Sequence, residues 1–200
     1  MMSATHIAIG ISTAMVITQP HTVPGFITSI VGGAAGGIVS DIDSRSNSYF
    51  RDALNGRLAV LVIIAASLLV DWVTSSGMVA ALLNPEHLVS VILGLGIVGV
   101  LLLVGYFQKH RGFTHSFLAM FLFTLGVCFI YGDLIIPFAF GFLSHLMLDI
   151  LNKSPIRIFF PFRKGICLKL CYANKVANQI CLYAGIATIV YFFIRPILSH

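Results

Sequence analysis

Long apolar runs separated by short polar connections make up most of the chain. Ala4 to Ile17 is a short run closed by Gln19-Pro20-His21, and Pro24 to Val39 is a second, carrying Gly32, Gly33, Gly36 and Gly37. A polar segment from Ser40 to Gly56 follows, then runs at Leu58 to Val79, Leu88 to Phe107, Ser116 to Tyr131, Leu134 to Leu151 and Ile180 to Leu198. The runs are continuous, without the alternation of a transmembrane β-barrel, and they predict about seven helices. A helix needs about 20 residues to cross a hydrocarbon core of about 30 Å. The first two runs fall below that length, so they are expected as short, tilted helices or as a re-entrant hairpin. Either way the chain returns to the side on which it began. The four glycines form two overlapping GxxxG pairs, a pattern that admits a neighbouring helix at close range.

Composition makes the class definite. Of 200 residues, 58% are apolar and 10% charged, whereas a water-soluble domain carries roughly 25% charged residues. The expected fold class is all-α: a polytopic transmembrane helix bundle forming one integral membrane domain over residues 1–200. No internal repeat or appended soluble domain is evident. Met1 to Val16 has neither a basic n-region nor a small-residue cleavage site, and reads as a retained segment rather than a secretory signal. Cys128, Cys167, Cys171 and Cys181 form no CxxC pair and are expected as small apolar residues in helix packing.

The net charge of +5 reports orientation before it suggests nucleic acid, and no nucleic-acid partner is expected. Arg45, Arg51 and Arg57 follow the second run, Lys109 and Arg111 precede the fifth, and Lys153, Arg157, Arg163, Lys164, Lys169 and Lys175 precede the last. Eleven of the twelve Lys and Arg residues therefore fall on one side, which the positive-inside rule makes cytoplasmic. The N-terminus lies on that side, and with seven spans the C-terminus lies on the other.

Alternating the helices across the bilayer brings separated polar residues to one depth. His6, Asp41, Asp43, His110, His115, His145 and Asp149 all fall at the cytoplasmic boundary. His145 and Asp149 are spaced i, i+4 and share a helical face. Asp41 and Asp43 would splay on a continuous helix, so a helix end that unwinds at Asp41 is expected to aim both inward. Imidazoles and carboxylates together suit divalent cations such as Zn, Mn or Fe, and the set is large enough for one or two ions.

These residues also carry a resemblance. Thr5-His6, Ser40-Asp41-Ile42-Asp43, the block His110-Arg111-Gly112-Phe113-Thr114-His115-Ser116, and Gly141 to Asp149 resemble, in order and spacing, the LexA-regulated, inner-membrane, metal-dependent hydrolase family of bacteria, the YdjM type. The resemblance covers roughly residues 5 to 165. It implies a hydrolase of the bacterial inner membrane, linked in some members to the DNA-damage response. The chain departs from that pattern at Ser40 and Ser44, where members carry proline and histidine, and at Ile180-Cys181, where an acidic residue is usual.

On this reading His115, His145, Asp149 and Asp41 lead as metal ligands, with His6, Asp43 and His110 next. Asp43 or His110 would act as general base, and Arg111, with Lys109 behind it, would stabilise charge on a phosphate. Thr114, Ser116 and Ser144 suit hydrogen bonds that orient the imidazoles, or helix capping. A site at this depth faces headgroups, so the partner expected is a membrane lipid or lipid-linked phosphate; oligomeric state is not legible. Ile156 to Phe162, flanked by Arg157, Arg163 and Lys164, reads as an interfacial patch that grips substrate or only anchors a loop. Two rivals stand beside the hydrolase: a cation transporter or channel, and a non-catalytic protein whose metal ties helices together. Asp71 and Arg195 fall at similar depth in the opposite half and are expected to pair. His21, His87 and His200 lie on that same side, and nothing gathers them.

Overall fold

The computed structural model describes residues 2–44, 50–170 and 175–198; Met1, Arg45, Cys171 and His200 lie outside them. Each apolar run forms a helix. The first two are α1 (Ser3–Thr18) and α2 (Val23–Val39), and α2 tightens into a 3-10 turn over Ser40–Asp43. Then come α3 (Phe50–Thr74), the short α4 (Met78–Leu82), α5 (Pro85–Phe107), α6 (Phe117–Ile130), α7 (Ile135–Leu151) and α8 (Val176–Leu198). The all-α class expected from the runs is what the chain adopts.

Boundaries differ from expectation for local reasons. The 3-10 turn carries the second run to spanning length, so Val23–Asp43 joins 50–74, 85–107, 132–151 and 176–196 as five segments long and apolar enough to cross a membrane. Helices α1 and α6 are apolar but shorter. The third run breaks after Thr74, where Ser75 (φ 50°) and Gly77 (φ 91°) take left-handed conformations. Asp71, 2% exposed, caps the helix that follows: its Oδ1 accepts from Ser76 Oγ (2.5 Å) and Met78 N (2.9 Å), and its Oδ2 from Val79 N (2.9 Å). Arg195 instead donates to Gln19 Oε1 at 2.6 Å. The expected Asp71–Arg195 pair therefore does not form, because the loop's own backbone donors satisfy the carboxylate first.

Helices α1, α2 and α7 pack most extensively on one another, and the glycines explain how. Gly33 and Gly37 face α1, where a Cβ would come within 2.6 Å of the Gly10 carbonyl oxygen and 2.5 Å of that of His6. Gly32 and Gly36 face α7, where a Cβ would meet Pro137, Phe138 and Phe142. The two GxxxG pairs thus serve two partners at once. Around this trio, α3 packs on α2, α8 on α1, and α6 on both α5 and α7. Outward residues of the surrounding helices, such as Leu61, Val62, Trp72, Val89, Leu93 and Tyr183, remain exposed and apolar. That is the surface a bilayer covers.

Candidate metal centre

At one end of the trio, five buried or nearly buried side chains from four places in the chain converge. His6 sits one turn into α1, and Asp41 is in the 3-10 turn after α2. His115 ends the 3-10 turn Phe113–His115, and His145 with Asp149 comes from the last two turns of α7. His6, His145 and Asp149 offer ligand atoms within 4.8 Å of one another, and so do Asp41, His115 and His145. His115 Nε2 is 3.6 Å from Asp41 Oδ1 and 3.5 Å from Asp149 Oδ2. His145 Nε2 is 3.9 Å from each of the same two oxygens, and His6 Nε2 is 3.5 Å from Asp149 Oδ1. The imidazoles of His6 and His145 stack, with centroids 4.0 Å apart.

The spacings of His115 and His145 from the two aspartates suit a shared ion better than direct hydrogen bonds. Nitrogen and oxygen in a good hydrogen bond lie within about 3.2 Å. Two donor atoms each about 2.1 Å from one ion, at the tetrahedral angle, lie about 3.4 Å apart. The buried Nε2 atoms of His115 and His145 have no hydrogen-bond partner. Buried polar atoms left in that state are rare and call for an explanation, of which an ion is one.

The outer nitrogens are held. His145 Nδ1 is 2.8 Å from the Gly37 carbonyl oxygen, which can only accept, so Nδ1 carries the proton and Nε2 turns its lone pair inward. His115 Nδ1 lies 3.3 Å from Asp43 Oδ2 and 3.1 Å from Thr114 Oγ1. Thr114 spends its own hydroxyl proton on Asp43 Oδ2 at 2.7 Å, so both neighbours accept from Nδ1. A carboxylate or carbonyl behind the imidazole, as at His115 and His145, is the arrangement that orients metal-binding histidines. Burial opposes charge on His115, but the carboxylates of Asp43, Asp41 and Asp149 outweigh it and raise its pKa to about 10. The protein's own charges therefore favour a proton, or another cation, at this point.

Asp43 organises the neighbouring layer. Besides Thr114 it accepts from His110 Nδ1 at 2.7 Å and from the Arg111 backbone N at 2.9 Å, the latter in a left-handed turn (φ 63°). Both oxygens of Asp43 are thus engaged by donors from the turn before α6. His110 is one-third exposed, and its ring sits edge-on to His115 with centroids 5.6 Å apart. The Arg111 guanidinium lies 3.7 Å from Asp149 Oδ2 and donates to the Ser154 carbonyl, at the outer edge of the cluster. Lys109 is exposed. Ser116 caps α6 by accepting from Ala119 N, and Ser144 donates to Gly141 within α7, so neither orients an imidazole.

Three polar residues that sequence reasoning passed over support the cluster. Arg57 donates from α3 to the carbonyls of Asp41 (2.8 Å) and Ser44 (3.2 Å), holding the turn that aims the aspartates. Asn152, three residues after Asp149, donates to its Oδ1 at 3.0 Å. Asn178 of α8 accepts from Met2 N and Thr5 Oγ1, pinning the start of α1 beside His6. For Asn152 a signal was available: it is a polar residue one turn beyond a candidate ligand. In the segment after α7, Ile156 and Ile158 are buried against the core that includes Phe113, while Phe159 and Phe162 remain exposed.

Searches of curated proteins and of solved structures return no match. The family model described as YdjM inner membrane protein matches residues 1–197, nearly the whole chain. The chain is a multi-pass membrane protein and belongs to the YdjM inner membrane protein family.

Proposed function

We propose that this protein is a metal-dependent hydrolase whose centre opens at the cytoplasmic face of the bacterial inner membrane. Its substrate class is a phosphoester carried by a lipid or lipid-linked molecule. One observation carries the reading: the inward, unpartnered Nε2 atoms of His115 and His145 face Asp41 and Asp149 at ligand-to-ligand spacing. His115, His145, Asp41 and Asp149, with His6 beside them, would hold a divalent ion such as Zn, Mn or Fe. The ion would supply an acidified water and polarise the attacked phosphoryl oxygen.

The chain's own residues carry the remainder. His110, held through Nδ1 by Asp43, keeps its other nitrogen available to move a proton between water and leaving group. Arg111, at the edge of the cluster, stabilises charge on the substrate's phosphate oxygens. The apolar helix faces keep the centre at headgroup depth, and the concentration of basic residues at this end supports a cytoplasmic N-terminus.

Metal analysis of the protein purified without chelator, beside His115→Ala and Asp149→Ala, tests the reading. Bound metal in the wild type and its loss in both variants is expected, together with loss of lipid-phosphate turnover. Equal, near-zero metal in all three preparations would remove both the centre and the hydrolase. Metal without turnover of any phosphoester would favour a structural ion.

A further inference from the structure

The three imidazoles of the cluster are not equivalent. His115 and His145 each donate from Nδ1 to an acceptor behind them, Asp43 with Thr114 in one case and the Gly37 carbonyl in the other. His6 has no such acceptor: its Nδ1 is buried and without a hydrogen-bond partner. If Nε2 of His6 gave its lone pair to an ion, the proton would have to sit on Nδ1, leaving a buried N–H donor unsatisfied. With the proton on Nε2 instead, His6 donates toward Asp149 Oδ1, 3.5 Å away, and the bare Nδ1 costs less.

The two oxygens of Asp149 divide the same way. Oδ2 faces His115 and His145, on the side where Asp41 also lies. Oδ1 faces away from them, toward the Asn152 amide at 3.0 Å and His6. An imidazole nitrogen has one lone pair, so His145 Nε2 cannot serve both the group containing His6 and the group containing Asp41.

The geometry points to a mononuclear centre with two imidazole nitrogens, from His115 and His145, and two carboxylates, Asp41 and Asp149, and to His6 as a positioning residue that holds Asp149 from outside the coordination sphere. This assignment rests on the metal reading above and sharpens it. His6 stacks on His145 and sets its Nε2 3.5 Å from Asp149 Oδ1, bracing two of the four ligands without being one.

X-ray absorption on the full chain in lipid nanodiscs, loaded with Zn2+ and dialysed, reads the imidazole count directly. The expected result is one ion per chain with two imidazoles in the wild type. The count is unchanged in His6→Leu and lowered by one in His145→Leu. His6→Leu is also expected to weaken Zn2+ binding roughly 10- to 100-fold, the usual effect of losing a group that orients a ligand. His6→Gln, which keeps a donor, restores much of that loss. Three imidazoles in the wild type, two ions per chain, or loss of one imidazole in His6→Leu would overturn the assignment while leaving a metal centre in place. A wild type that binds no Zn2+ would overturn the underlying reading and this assignment together.

Discussion

His145 on α7 donates from Nδ1 to the carbonyl oxygen of Gly37 on α2, across 2.8 Å. The contact exists because Gly36 and Gly37 bring three backbones together at this level, and it sets which nitrogen of His145 faces the cluster. Packing and chemistry meet at one glycine.

Gly37→Ala should therefore damage both. The new methyl would lie 2.5 Å from the His6 carbonyl oxygen, where backbone must move to admit it. A destabilisation of about 1–3 kcal/mol, typical of overpacking, is expected with reduced metal content. Gly96→Ala and Gly99→Ala on α5, which would meet nothing within 4 Å, serve as controls and should match wild type. Thermal unfolding in detergent and elemental analysis of the three variants give the comparison.

Asp43 supports His110 and His115 from behind, so Asp43→Asn should impair turnover more than metal binding. Loss of proton transfer typically costs about 10²- to 10⁴-fold in rate. Because Asp43 acts through His110, the double variant Asp43→Asn with His110→Ala should be little slower than the worse single one. Multiplying losses in that cycle would separate the two residues.

Proton release should accompany metal uptake. The pKa of His115 is raised from 6.5 to about 10, so at pH 7 the folded protein holds a proton there, and a ligating imidazole must be neutral. Affinity should then rise by about tenfold per pH unit across neutral pH and level off near pH 10. The same sign governs stability of the protein without added metal: the contribution of charged His115 is complete below pH 6.5 and lost as pH rises through about 10. Calorimetric titration of Zn2+ at pH 7, in two buffers of different ionisation enthalpy, should show about one proton released. Identical heats in both would contradict the role of His115.

At the other end of the molecule, Asp71→Asn should destabilise by about 1 kcal/mol or more through loss of the cap on α4, with metal content unchanged. Arg195→Gln breaks a separate contact, with Gln19. The two losses should add within about 0.5 kcal/mol. A markedly smaller sum in the unfolding double-mutant cycle would mean that Asp71 and Arg195 communicate after all.

Depth was legible in the sequence, and direction around the bundle was not. Continuous apolar runs fix where the chain crosses, and alternation then assigns His6, Asp41, His115, His145 and Asp149 to one level, where the structure brings them together. The same logic put Asp71 and Arg195 at one level, but alternation says nothing of azimuth, and the two face different neighbours. Asp43 illustrates a second limit. Its residue type suits a base, yet its role depends on hydrogen bonds from His110, Thr114 and Arg111 that arise only when the turn after α2 meets the turn before α6. Arg57 counted only toward orientation because it acts on backbone carbonyls that spacing alone does not reveal.

The cluster takes its first member from residue 6 and its last from residue 149. During synthesis and insertion, a chain that has emplaced α1 to α6 has neither His145 nor Asp149, and α2 lacks the helix that Gly32 and Gly36 accommodate. Arrival of α7 supplies the missing packing partner and the missing side chains in a single step. A nascent or truncated product ending before that helix lacks two of the five side chains of the cluster, so the set is completed only when insertion is.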